Sequence, residues 1–326
     1  MKRWLISVPV WGDRYHAVFE RCAAPALIIA AQRLRDHLLA LGEDCDVRFV
    51  VHTDDPQRVA SAALSEQPVT FRPLPDKPTY IALQESHADA LALAQPGDRV
   101  VLLNADIVVS GNLLVRADEH FRSGFEAVVL LGIRTAAGDE LPPVGAAPRH
   151  LLKWAWEHRH QIIRDLEWSS GASMLPTNLF FEQGDNVIAR GFHLHPAAVI
   201  KREGLRMIST IDGDLLDNYE RECVHVVTSS DDSAILEVSP PDRRFPVRAG
   251  ALTPAHVAAS MAPRASAMHR WLFERRIEVV GDALQVDADF IPCDEISARL
   301  AHPPATPPER IMRGRTPTRQ IGRRGR

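Results

Sequence analysis

Arg99-Val100-Val101-Leu102-Leu103-Asn104-Ala105-Asp106-Ile107-Val108-Val109-Ser110 decides the fold. Its continuous apolar run reads as a buried strand of a parallel sheet. Two polar residues interrupt it, and one of them, Asp106, is an acid. An ionised carboxylate inside such a run has a large desolvation cost unless something compensates it. The economical reading is that the strand ends there, at the carboxyl edge of an open α/β sheet, where such folds bind ligands. Asp106 then faces a metal ion, or a phosphate-bearing substrate through that metal.

The segments on either side fit this reading. Trp4 to Val8 is a first strand, and Gly12-Asp13 opens a turn into a helical segment. Pro25 kinks that segment or starts a second helix over Ala26 to Leu41, which Gly42 ends. Val47 to Val51 is a second strand and runs into the polar cluster His52-Thr53-Asp54-Asp55. Val69 to Leu74 is a short third strand, and Tyr80 to Leu93 has helical spacing. Strands and helices alternate as in a doubly wound sheet. Neither G-x-G-x-x-G nor G-x-x-x-x-G-K-[ST] follows the first strand, which lowers the odds of a nicotinamide or P-loop enzyme.

The second half is less regular. Phe125 to Leu131 reads as a strand and Arg149 to Leu166 as one amphipathic helix. Asn178 to Phe181 and Gly191 to Ile200 read as short strands near a cleft.

Composition narrows the class. The 326 residues, 45% of them hydrophobic, suffice for one large α/β domain, and the net charge of -4 carries no nucleic-acid signature. Cys22, Cys45, Cys223 and Cys293 are too scattered for a zinc pattern or a disulfide framework. The start looks like a strand, not a signal peptide, and no run reaches the length of a membrane span. A cytoplasmic protein fits best. From 301 to 326 the chain is rich in proline and arginine, and is read as a disordered tail able to touch an acidic surface.

Three polar clusters could carry chemistry. The first is Asn104-Ala105-Asp106. The second is His193-Leu194-His195, whose alternation on a strand would put both imidazoles on one face. The third is Asp212-Gly213-Asp214, where a glycine lets the backbone approach a ligand. Each also has an ordinary structural reading, as a turn brace, as core histidines and as an Asx turn. Hard cations such as magnesium or manganese take carboxylate oxygens, and a metal so held could bind a diphosphate. Lys201 and Arg202, just after the histidine segment, could meet phosphate.

With these residues on the page, the chain resembles the GT-A-fold glycosyltransferases, in which a nucleotide-binding α/β half ends in a D-x-D motif. The resemblance covers roughly residues 1 to 235. It implies a GT-A-like, Rossmann-related mixed sheet with flanking helices and an irregular C-terminal half. It also implies a divalent metal, manganese or magnesium, held against the diphosphate of a nucleotide sugar. Asn104-Ala105-Asp106 stands at the motif with asparagine first, so the amide brings an oxygen but no charge. The family's later metal ligand falls among His193, His195, Asp212 and Asp214. Pro9, Trp11, His52 and Asp54 match the strand ends beside the base and ribose, with Asn104, Asp106 and Lys201 toward the phosphates. Asp212 or Asp214 would be the general base of an inverting reaction, and a retaining one needs none.

The expectation is therefore one catalytic domain over 1–300, followed by the tail. Residues 1–125 would take a nucleotide-sugar donor and 126–300 an acceptor hydroxyl, which would pass Trp154, Phe180 or Phe181. No dedicated nucleic-acid partner is expected. A nucleotidyltransferase is the runner-up, although Pro9 to Arg14 lacks a glycine-rich basic loop. A non-catalytic nucleotide-sugar-binding protein and a metal-dependent hydrolase complete the alternatives.

Overall fold

The computed structural model describes residues 2–302 apart from 63, 65, 137, 139, 206, 208–212 and 282–290. In chain order its strands are β1 (Lys2–Val10), β2 (Cys45–Thr53), β3 (Val69–Pro73), β4 (Arg99–Leu102), β5 (Ile107–Val109), β6 (Ala127–Leu130) and β7 (Gly132–Ala136). They continue with β8 (Asn178–Gln183), β9 (Asn186–Gly191), β10 (His195–Ile200), β11 (Val224–Val226), β12 (Ile235–Ser239) and β13 (Ile277–Val280).

Seven strands form the main sheet, in the order β11-β6-β10-β4-β1-β2-β3. All run parallel except β10, which is antiparallel to both β4 and β6. The fold is a mixed α/β architecture with helices packed on a large mixed sheet. Helix Thr79–Leu93 packs on β1 and β4, and helix Ala24–Ala40 on β2. Helix Leu113–Arg122 packs on β6 and β10.

The central strands carry no polar alternation because both faces are covered, and β1 is buried from Trp4 to Val10. Trp4 lies in this core beside Phe121, with ring centroids 5.9 Å apart. Its indole nitrogen has no hydrogen-bond partner among the described residues, so its contribution is packing. Trp4→Ala is expected to cost about 3–5 kcal/mol in urea unfolding. Trp4→Phe, which empties less space, should cost clearly less.

The structure sharpens two sequence expectations and corrects a third. The strand from Arg99 stops before Asp106 as expected, and the rest of the run to Ser110 holds a second strand. The β1–β4 ladder reaches Leu103, whose N–H donates to Ser7 O at 3.0 Å, and a turn then bonds Ile107 N–H to Asn104 O at 3.1 Å. Beyond the turn, β5 leaves the main sheet and joins β12 and β7 in a second, three-stranded sheet. Of the two readings of Pro25, the start of a second helix is the one observed, with bounds Ala24–Ala40. Asp13–Val18 passes through a wide turn at Phe19–Ala23, where Ala24 N–H reaches back to Phe19 O, and Pro25 sits in the first turn of Ala24–Ala40.

The helix expected over Arg149 to Leu166 is broken into Pro148–Glu157 and Gln161–Arg164. His160 causes the break. Its Nδ1 accepts from Ile162 N–H at 3.1 Å, capping the second helix, while Nε2 donates to Pro240 O at 2.8 Å.

β8, β9 and β13 form a third, antiparallel sheet over a smaller core that includes Phe181, Phe192, Met261 and Phe273. No helix of the described residues is long and apolar enough to cross a membrane. The four cysteines are free thiols.

Candidate functional site

The carboxyl ends of β1, β2 and β4 lie side by side, because these strands pair in register as parallel neighbours. Pro9, Trp11, His52, Asp54, Asn104 and Asp106 therefore come to one edge. Asp54 accepts from Gly12 N–H at 3.0 Å and pairs with His16 Nε2 at 2.7 Å. Burial pushes its carboxyl up, but the His16 and Gly12 hydrogen bonds outweigh that and hold it below the usual range. The turn after β1 is thus braced by the protein's own anion. Trp11 is partly exposed above it, 6.1 Å from the Tyr15 ring. His52 is buried and pairs with Asp89 at 3.0 Å, which Arg72 holds with two hydrogen bonds.

Beneath Asn104 lies a buried polar column. Ser7 Oγ is 3.0 Å from His87 Nδ1, and His87 Nε2 is 3.5 Å from Asn104 Oδ1. Burial, helped by the neighbouring His195 and His52, pushes His87 down to about 3, so its imidazole is neutral with one N–H. With Nε2–H donating to Asn104, Nδ1 accepts from the Ser7 hydroxyl. The Asn104 amide oxygen is thereby turned inward.

Asp106 is 4% exposed at the turn between β4 and β5. Its backbone oxygen accepts from Val238 N–H at 2.8 Å, which ties the turn to β12. Burial and the nearby Glu237 carboxylate push its carboxyl up to about 7, against the opposing pull of Arg134 and Arg243. Tyr15 belongs to the same electrostatic cluster: burial and Asp106 raise its phenol.

The second sheet supplies the other members. β12 register sets Glu237 opposite both Ile107 and Arg134. Arg134 Nη2 is 2.6 Å and Arg243 Nη1 3.4 Å from the Glu237 carboxylate, and Ser239 Oγ donates to it at 3.0 Å. Both guanidinium carbons lie 5.7 Å from the Phe245 ring centroid. A cavity of about 190 Å³ adjoins the cluster, lined in part by Arg14, Arg21, Glu140, Trp154 and Val238. That is small for a nucleotide sugar, since ligand pockets start near ~300 Å³.

The remaining sequence candidates disperse. β10 is antiparallel, so its end lies at the amino edge of the sheet. Lys201 is held there, its backbone N–H donating to Asp98 O at 2.7 Å, just before β4 begins. The strand's direction removes Lys201, and Arg202 with it, from the nucleotide edge. His193 precedes β10 and does not share a strand face with His195, because the chain bends between Gly191 and His195. Its ring faces His269 at 4.8 Å, whereas His195 Nε2 bonds Leu102 O at 2.7 Å. Asp212 lies outside the described residues. Asp214 is described only as part of the helix Gly213–Leu216.

A divalent ion is a poor fit to these donors. Asn104 turns its oxygen toward His87, His195 is committed to a backbone carbonyl and His193 is elsewhere. Glu237, the other carboxylate beside Asp106, is already neutralised by Arg134. Among the described residues the metal-ligand types converge instead at His120, His225 and Asp232, whose donor atoms lie within 4.8 Å of one another.

Sequence reading missed Tyr15, Arg134, Glu237 and Arg243. Arg134 and Glu237 carried a signal: each is a charge inside a short strand-like run. Nothing local revealed that the two strands pair.

No family model and no curated protein matches the chain. Residues 1–349 of TarS from S. aureus are similar in structure at 13% identity, over 92% of this chain and 71% of that one, with a TM-score of 0.34. A longer TarS structure gives 14% identity over 83% of this chain and 42% of that one, at a TM-score of 0.31. A Bacillus anthracis protein named as a glucose-1-phosphate thymidylyltransferase gives 13% identity over 44% and 62%, at 0.24. Likeness at this level assigns no activity to the chain.

Proposed function

We propose that this chain transfers a sugar from a nucleotide-diphosphate donor to an acceptor hydroxyl. The observation that carries the reading is Asp106: a buried acid at the carboxyl edge of β4, under the electrostatic influence of Arg134 from β7, Arg243 from the stretch after β12 and Tyr15 from the first helix. A protein has no folding reason to keep a carboxyl there, and strongly shifted acids cluster at functional sites. In this reading the base and ribose lie against Pro9, Trp11 and the Asp54 turn, with His52 bracing β2 from below. The diphosphate lies over Asn104 and Asp106, where Arg134 and Arg243 offset the charge on the departing nucleotide. Residues 1–125 form the donor half and 126–300 the acceptor half. Asp214 or Asp212 remains the proposed base if the reaction inverts. Manganese or magnesium at Asp106 is not needed by this scheme.

A nucleotidyltransferase is disfavoured by the braced turn after β1. Gly12 N–H, a natural phosphate donor, is already occupied by the Asp54 carboxylate.

A panel of UDP-, GDP- and dTDP-sugars, read by thermal shift with and without manganese, tests the proposal. At a hundred times the Kd a true donor stabilises the chain by about 2.7 kcal/mol, a shift of several degrees. The expected result is a shift with one nucleotide class that survives chelation. No shift with any member would overturn the reading, and a shift without turnover on any acceptor would leave a binding protein.

A further inference from the structure

We propose that His120, His225 and Asp232 form a binding site for a transition-metal ion of the zinc, cobalt or nickel class, separate from the nucleotide edge. His120 comes from the last turn of helix Leu113–Arg122, His225 from β11 and Asp232 from the loop that follows it. The helix lies on the sheet beside β6, and β11 is the strand next to β6, so two distant segments meet.

The geometry has three parts. His120 Nε2 is 3.0 Å from Asp232 Oδ2. The two imidazoles stack with centroids 3.5 Å apart and planes 19° apart. His225 Nε2 lies 3.8 Å from the same Oδ2, beyond hydrogen-bond reach, and is buried with no partner among the described residues. A desolvated ring nitrogen without a partner is costly. Small side-chain rotations would bring both Nε2 atoms and one carboxylate oxygen around a single ion.

Asp232 is held for that role from outside. Its backbone oxygen accepts from Asn112 Nδ2 at 2.9 Å. Arg116 donates to its carboxylate at 3.2 and 3.1 Å, and Ser233 at 3.1 Å. The Arg116 and His120 contacts compensate the partial burial of this carboxylate. Such outer contacts orient a ligating carboxylate, and a carboxylate has lone pairs enough to accept from Arg116 and still bind an ion. Two imidazoles with one carboxylate select zinc, cobalt or nickel over magnesium or calcium. Side-chain exposures of 12, 22 and 13% leave the group reachable.

The site is not the one beside Asp106. His225 pairs with Val128, Val128 with Ala198 and Ala198 with Val101. Asn104 therefore lies three residues along and three strands across, roughly 17 Å away by strand geometry. An ion here would tie β11 and its loop to the helix, and would not touch the donor.

The test is titration of the full chain, stripped with a chelator, with Co²⁺ alone. The expected result is one saturable visible absorption band per chain, displaced by Zn²⁺ and not by Mg²⁺. His225→Ala and His120→Ala, checked by circular dichroism for folding, should each weaken Co²⁺ binding about 10- to 100-fold or more. Zn²⁺ should raise the melting temperature of the unmodified chain and not of these variants. Asp106→Ala should bind Co²⁺ unchanged, which keeps this result independent of the sugar-transfer reading. Absence of a saturable band, or equal affinity in a folded His225→Ala chain, would overturn the proposal.

Discussion

Asp106→Ala is expected to lower sugar transfer and donor hydrolysis by about a thousandfold or more, while the circular dichroism spectrum stays unchanged. A thousandfold corresponds to about 4 kcal/mol of lost transition-state stabilisation, the scale of one well-placed polar group in a dry site. Near-normal turnover of a confirmed donor by this variant would remove Asp106 from the mechanism. The same residue makes a second, independent prediction through stability. Its folded carboxyl titrates near 7, against 3.8 for an unperturbed one. Between those values the folded state holds a proton that the unfolded state has released. Stability is therefore lost as pH rises from about 4 to about 7, and does not return above that. Asp106→Asn removes this dependence. It is expected to be the more stable chain at pH 8, by a few kcal/mol (on the order of 3), and equal to the unmodified chain near pH 4. Denaturant unfolding of both chains across that range measures the difference. A variant more stable yet inactive is what a functional acid kept at a cost in stability would give.

Arg134→Ala is expected to have the second-largest effect, on both binding and folding. Its side chain is 18% exposed and its nearest partner, Glu237, is 22% exposed. Removing it leaves Glu237 with the longer Arg243 contact and Ser239, and leaves Asp106 without its main opposing charge. Breaking such a half-buried pair should cost about 2–3 kcal/mol, less than for a fully desolvated pair. Donor affinity should fall roughly 10- to 100-fold if Arg134 meets the diphosphate, as charge-assisted contacts to phosphate are strong. The pH at which Asp106 titrates should move further up. Arg134→Lys keeps the charge but not the planar pair of donors, so it should lie between the two. Calorimetry with the donor identified by the thermal-shift panel separates the two roles. Unchanged affinity in a folded Arg134→Ala chain would confine Arg134 to the architecture.

Much of the first half was legible because its information is local. β1, β2, β3 and the helix after β3 follow from apolar runs, turn residues and helical spacing, and the structure extends or trims each by only a few residues. The break at Asn104–Asp106 was legible for the same reason, as a charge in an apolar run cannot continue a buried strand. The destination of β5 was not. Ile107 to Val109 is as apolar as the strand before it, and nothing in three residues says which sheet they join. The second half was harder. His193 and His195 alternate as strand residues do, but a bend separates them, and Lys201 follows a strand whose direction no local pattern encodes.

The sequence by itself determined that the chain alternates strands and helices, where its central strand must stop, and that Asp106 stands at the stopping point. These follow from burial and periodicity, which act over a few residues. Tertiary structure alone decided what Asp106 faces. It brought Tyr15 from the first helix, Arg134 from β7 and Glu237 from β12 around one carboxyl, and it placed His120 beside His225 and Asp232. The physical reason is that charge–charge contacts depend on distance in space, and strand pairing sets that distance between residues more than a hundred positions apart.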